Sequence, residues 1–219
     1  MGGWGVMFSK DHMRQVLREA RETLAGMDVA EQARRCGLAL EQGRVTGASL
    51  GETFAVSLSP GDEGESRDPW LEGVALHHLI RAGDGALDGE WVSLFDMPEL
   101  RTYEPTLKKR VERPLVRAFA GATEYLWRAV AAADGVERRM PGMAATVWFL
   151  PRIPITLSVH EGDEEIPPAA TVLFDASVRR MLPPEDIVVA AEITAHRLKT
   201  IANRIRRHEE NSNAKNFAD

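Results

Sequence analysis

The stretch 146–205 constrains this chain most. Ile155, Leu157 and Val159 alternate with Thr156, Ser158 and His160, and a period of two marks a strand with one buried face. Just upstream, residues 145–150 are apolar at nearly every position, so both faces of that run can be covered. Pro151 and Pro154 separate the two runs, and proline has no N–H for a ladder, so the break predicts a bend or an edge crossing. Thr171, Val172, Leu173 and Phe174 form a third short run, followed by Asp175. After Pro183 and Pro184, apolar positions recur at helical spacing: Ile187, Ala191, Leu198, Ile201 and Ile205, with Thr194 among them. Glu185 and Asp186 suit the positive end of that helix, and Arg204, Arg206 and Arg207 its negative end. The apolar stripe has to be buried, and the sheet formed by the preceding strands is the nearest surface.

The loop 161–170 holds Gly162, Pro167 and Pro168, and its length suits a wide hairpin connection. An antiparallel pairing with His160 opposite Thr171 sets Val159 against Val172 and Leu157 against Phe174 on one side. Thr156, Ser158 and His160 then share the other. In this register Asp175 lies at the far end of the hairpin from the acidic loop, roughly 13–16 Å away at about 3.3 Å per residue. One metal site using both is excluded, and an ion pair of Asp175 with Arg152 is expected.

The remaining segments add helices and shorter strands. Residues 9–26 read as a helix capped by Ser9, with Met13, Val16, Leu17, Ala20 and Leu24 as its stripe. Asp28 and Glu31 open a second, shorter helix ending near Gly37. This pair either packs on the sheet or forms an arm to a partner. Residues 44–59 read as strand, 61–68 as a charged, glycine-rich loop, and 70–81 as a helix with Leu71, Val74, Ala75, His78 and Leu79 inward. Trp91 opens a short apolar run, and residues 100–105 connect. Two helices, 106–120 and 123–133, break at Gly121; Pro114 either kinks the first or marks its true start. Residues 138–143 read as a loop.

The reading is an α+β fold: a single domain over 9–207, mainly antiparallel sheet with helices packed against it, a frayed start at 1–8 and a disordered tail at 208–219. With 219 residues and 44% hydrophobic content, a sizeable core is available. A net charge of −6 argues against a dedicated nucleic-acid binder. One cysteine, Cys36, cannot by itself hold a disulfide framework, a zinc ribbon or an iron–sulfur cluster. No apolar run approaches the roughly 18 residues of a membrane span, and neither a secretory signal nor a myristoylation site opens the sequence. A cytoplasmic protein is expected.

Several phrases together carry a family likeness: Ala75-Leu76-His77-His78-Leu79-Ile80, Leu87-Asp88-Gly89-Glu90-Trp91-Val92-Ser93-Leu94, and Pro151-Arg152-Ile153-Pro154-Ile155. The longest starts at Glu161-Gly162-Asp163-Glu164-Glu165-Ile166-Pro167, continues through Val172-Leu173-Phe174-Asp175-Ala176-Ser177, and ends at Leu182-Pro183-Pro184-Glu185-Asp186. The chain thereby resembles, from about its first helix to Leu198, a domain-of-unknown-function family of anaerobic bacteria and archaea (serial number thirty-seven eighty-six). Members of that family sometimes follow a cysteine-rich iron–sulfur domain of the kind seen in corrinoid proteins. The 219 residues contain no such domain, and Cys36 alone speaks against a direct electron-transfer role. The resemblance implies no assigned activity and no catalytic residue.

Three clusters are candidate sites. His160 with Glu161, Asp163, Glu164 and Glu165 offers an imidazole and several carboxylates to a divalent metal, although the spacing fits neither a calcium loop nor an H-E-x-x-H helix. A solvated acidic loop, or one paired to the basic face at Lys108, Arg110, Arg113 and Arg117, is the alternative. His77 and His78 point about 100° apart on their helix and cannot share one ion. Either could be an axial ligand to a tetrapyrrole or line a pocket with Trp70 and Trp91, against core packing for His78 and the tryptophans. Asp175 and Ser177 follow a buried strand, a common place for a site and equally for a turn or cap. The expected function is a non-catalytic accessory domain that binds a small ligand, a cofactor or a partner protein. The competing expectation is a metal-dependent enzyme built on His160 and its loop.

Overall fold

A computed structural model of the chain describes residues 10–62, 68–139 and 143–216. The expectations for the start at 1–8, the Ser9 cap, residues 217–219 and parts of the loops 61–68 and 138–143 lie outside the described residues.

The fold is α+β, with two antiparallel sheets. The smaller is a meander of β1 (Ala39–Glu41), β2 (Arg44–Ser49) and β3 (Glu52–Ser57). Its second turn puts Leu50 at φ 51° and Gly51 at φ 77°, the paired positive values of a two-residue hairpin. Leu50 is nonetheless buried, and its N–H donates to the Trp148 carbonyl at 2.8 Å, which ties this hairpin to the larger sheet.

The larger sheet runs in the order β4 (Trp91–Ser93), β8 (Ala169–Asp175), β7 (Ile153–His160), β6 (Met143–Leu150), β5 (Val136–Arg138). The β7–β8 pairing is antiparallel, as the alternation predicts, but slipped by two residues: His160 stands opposite Ala169, Leu157 opposite Val172 and Ile155 opposite Phe174. A slip of two preserves the faces, because side chains alternate with period two. Ile155, Leu157, Val159, Val172 and Phe174 all turn to the core. The opposite face is polar as expected, yet Thr146 and Thr156 on it are buried. Their hydroxyls lie 2.6 Å apart, Arg138 Nε donates to Thr146 Oγ1 at 2.9 Å, and the same guanidinium stacks 5.5 Å from the Trp91 ring centre. Strands β1 and β5 are additions to the sequence reading; each is three residues long and fully exposed, too short to show a period.

Helices α5 (Arg113–Phe119) and α6 (Thr123–Ala132) cover the apolar face of the large sheet. Before α5 come α4 (Glu104–Leu107) and one π-helical turn, Lys108–Glu112. Pro114 sits in the first turn of α5, and the preceding π turn absorbs its missing donor without a break. After the single turn α7 (Val178–Met181), the last helix, α8 (Pro184–Asn216), departs from expectation in two ways. It packs chiefly on α3 (Pro69–Ile80), α5 and α6 rather than on the strands, because α5 and α6 already occupy the sheet. It also runs on through residues 208–216, where the composition suggests disorder. There Glu209 pairs with Arg128 and accepts from Tyr125 Oη at 3.0 Å.

α3 and α8 are the two inner helices. Every residue of α3 from Leu71 to Leu76 is buried, as is every residue of α8 from Ile187 to Ala195. α1 (Lys10–Ala25) packs on α3, and α2 (Val29–Cys36) packs on α3 and β1, so the N-terminal pair is part of the body rather than an arm. One continuous set of buried side chains passes through both sheets and all these helices.

Candidate functional site: the His77–Asp186 cleft

The structure separates the two adjacent histidines. His78 is fully buried on the inner face of α3, and neither ring nitrogen makes a well-formed hydrogen bond. Burial pushes it down to about 4, and the nearby Met181 carbonyl offsets little of that. It is a neutral core residue. His77, one step round the helix, is half-buried, and its Nδ1 lies 2.7 Å from Asp186 Oδ2 in the first turn of α8. With the carboxylate as acceptor, Nδ1 carries the proton and Nε2 is left as the open ring nitrogen. Nε2 has no hydrogen bond to any described residue. Burial alone would lower the His77 pKa, but the hydrogen bond and charge of Asp186 outweigh it and raise the value.

This pair edges a cleft of about 210 Å³ where α1, α3 and α8 meet. Met13 and Val16 form one wall, Trp70 and Val74 a second, and Pro183 and Val189 a third. The elements meet there for simple reasons. Asp68 caps α3 by accepting the Leu71 N–H at 3.1 Å, and Pro69 fits the first turn beside it. Pro183 and Pro184 fix the start of α8, so Glu185 and Asp186 emerge at its N-terminal end. Glu185 accepts from Tyr103 Oη at 2.9 Å. Among the described residues, the cleft lining contains no serine, threonine, cysteine or lysine, and its ionisable groups are His12, His77, Glu185 and Asp186. The described lining can therefore hold a ligand against an oriented imidazole, but it offers no hydroxyl, thiol or amine nucleophile.

The other candidates are placed as follows. His160, Glu161, Asp163 and Glu164 are all exposed at the β7–β8 connection. His160 Nδ1 accepts the Gly162 N–H at 3.0 Å, Asp163 Oδ1 accepts from Glu165 and Ile166, and Glu161 accepts from Thr123 Oγ1. Their polar atoms shape the loop and join it to α6. No group of three or more His, Cys, Asp or Glu among the described residues is arranged to hold a metal ion. The basic helix face pairs elsewhere: Lys108 with Glu104, and Arg110 with Glu192 of α8. Trp91 stands on the outer strand β4 over Arg138, away from the cleft that Trp70 lines.

Asp175 corrects a specific expectation. It forms no ion pair with an arginine among the described residues; its carboxylate accepts from the N–H groups of Asp88, Gly89 and Ser177 at 2.9, 2.8 and 3.0 Å. Burial works to raise its pKa, but these hydrogen bonds hold it below the usual carboxylate value. Its role is to brace the turn leading into β4. Arg152 instead lies beside Gly37 at the end of α2.

The sequence profile described as Domain of unknown function (DUF3786) matches residues 28–197. The chain belongs to this family. The match takes in α3, the sheet and the first half of α8, and so includes both His77 and Asp186. No curated protein and no solved structure matches the chain. Among the described residues, no helix is long and apolar enough to cross a membrane.

Two polar contacts of these helices are not read from the sequence. Asp186 reads as an ordinary acid at a helix start, and its partner lies 109 residues away. The ion pair of Arg21 on α1 with Glu72 on α3 is almost wholly buried, with Arg21 also donating to the Ser57 and Leu17 carbonyls. A glutamate inside the otherwise apolar run 71–76 was the available clue.

Proposed function

We propose that this member of the family is a small-ligand-binding protein whose site is the cleft between α1, α3 and α8. The observation that carries the reading is His77: a half-buried imidazole, oriented by Asp186 through Nδ1, with Nε2 bonded to no described residue, at the edge of a mostly apolar cleft that His12 and Glu185 also line. Burying the cost of an oriented polar group beside apolar walls is the usual construction of a ligand site, where a few polar atoms fix orientation and the apolar surface supplies affinity. A cleft of about 210 Å³ suits a compact molecule rather than a tetrapyrrole macrocycle. The ligand class is a small, flat, mostly apolar compound with one hydrogen-bonding edge directed at His77. Binding is favoured over catalysis because the described lining is mostly apolar and holds no hydroxyl, thiol or amine nucleophile beside its ionisable groups His12, His77, Glu185 and Asp186.

The test is a titration of the full chain with indole, phenol and benzimidazole, followed by NMR. Saturable shifts at the Trp70 indole N–H and the His77 ring, weakened at least five-fold in Asp186→Asn and removed by Val74→Phe, are expected. Shifts that do not saturate, or that fall outside the cleft, would refute the reading.

A further inference from the structure

Trp70 also forms a wall of a second, larger recess on its other side. This groove encloses about 490 Å³, within the range of roughly 300–1,000 Å³ usual for ligand sites. Its long wall is α8, where Ile193, Arg197, Thr200, Ile201 and Arg204 recur at helical spacing. The apolar positions and Trp70 make a floor, and the arginines stand over it.

The state of Arg197 is what points to a ligand. Its side chain is only 19% exposed. One amino group donates to the Ser49 carbonyl at 3.1 Å, which anchors the guanidinium to the β2–β3 turn. The two carboxylates nearby, Glu52 and Asp68, stand at 3.6 and 3.7 Å. Both are ion pairs, but longer than the roughly 2.7–2.9 Å of a charge-assisted hydrogen bond, so Arg197 is paired with the two carboxylates without donating to either at contact distance. Glu52 is 60% exposed and screened by water, and one oxygen of Asp68 is committed to capping α3. Two turns along the same wall, Arg204 is exposed and makes no ion pair with any described residue. The described lining sets Arg197 and Arg204 against Glu52 and Asp68, and Arg204 is the one of these two arginines with no carboxylate within ion-pair distance among the described residues.

We propose that this groove is a second binding site, which takes an oxyanion, phosphate or carboxylate, carried on a small apolar body. Arg197 is an anchored planar donor, Arg204 an exposed second charge, and Trp70 with Ile193 and Ile201 a surface for the body. The site is independent of the His77 cleft and does not require it to be occupied.

Calorimetric titration of the full chain at low salt with phenyl phosphate, benzoate and inorganic phosphate tests this. Saturable binding of phenyl phosphate or benzoate is expected, tighter than inorganic phosphate and at least ten-fold weaker in Arg204→Gln and in Arg197→Gln. Whichever of the two aromatic acids binds more tightly identifies the oxyanion. Arg204→Gln alters an exposed side chain and keeps the test valid if Arg197→Gln unfolds. Phenol binding in the cleft, measured in parallel, should be unchanged in Arg204→Gln. Failure of both aromatic acids to bind, or binding unaltered in the Arg204 variant, would overturn the proposal.

Discussion

At the scale of single residues, neighbouring histidines of one helix have opposite chemistry because one faces a carboxylate and the other faces the core. His77 gains a charged partner, so its folded pKa is raised. The stability it contributes is complete below the unfolded value of about 6.5 and is lost as pH rises through the folded value. Asp186→Asn should therefore lower the His77 pKa in an NMR titration of the ring. The cost in urea stability should be larger at pH 6 than at pH 9; equal costs would mean that the pair is not charged. His78 behaves in the opposite sense. Its folded value is about 4, so its contribution is present above about 6.5 and is lost as pH falls toward 4. The full difference corresponds to about 3 kcal/mol at 1.36 kcal/mol per unit. His78→Leu should flatten the acid limb of the stability profile between pH 6.5 and 4, and an unchanged limb would count against a neutral buried ring.

At the scale of elements, two joints hold the parts in place. Arg21 and Glu72 pin α1 to α3 within the core. Removing one partner strands a buried charge, so Arg21→Met or Glu72→Leu alone should cost about 3–5 kcal/mol. The double variant should recover most of this, because the pair's own desolvation cost disappears with it. Urea denaturation of all four species measures the coupling, and additive losses would show the two side chains to be independent. The Leu50–Gly51 turn is the second joint. Gly51 has φ 77°, and a Cβ there would come within 2.9 Å of the Ala133 Cα, after α6. Gly51→Ala thus combines left-handed strain, about 1–2 kcal/mol, with a collision against backbone. It should cost visibly more than the strain alone, by thermal or urea unfolding.

At the scale of the whole molecule, α3 and α8 lie at the centre and both candidate sites open where they meet the surface, one on each side of Trp70. Leu198→Ala, in the buried half of α8, should destabilise by about 2–5 kcal/mol through the cavity it leaves. Ending the chain after Arg207 should do far less, both measured by urea unfolding, since among the described residues it removes the contacts of the half-buried Glu209 with Arg128 and Tyr125 and no fully buried side chain.

Much of this arrangement was legible locally. Period-two alternation placed Ile155, Leu157 and Val159 on a buried face, helical spacing marked α1, α3 and α8, and the proline pair fixed where α8 begins. The adjacency of His77 and His78 already excluded a shared ligand. Each of these depends on patterns a few residues long. The two-residue slip of β7 on β8, the interposition of α5 and α6 between α8 and the sheet, the Arg21–Glu72 pair and the approach of Asp186 to His77 depend on which surfaces meet in three dimensions. A carboxylate written as a helix-start acid becomes a partner for histidine only after two buried helices cross, and nothing near either residue in the chain encodes that crossing.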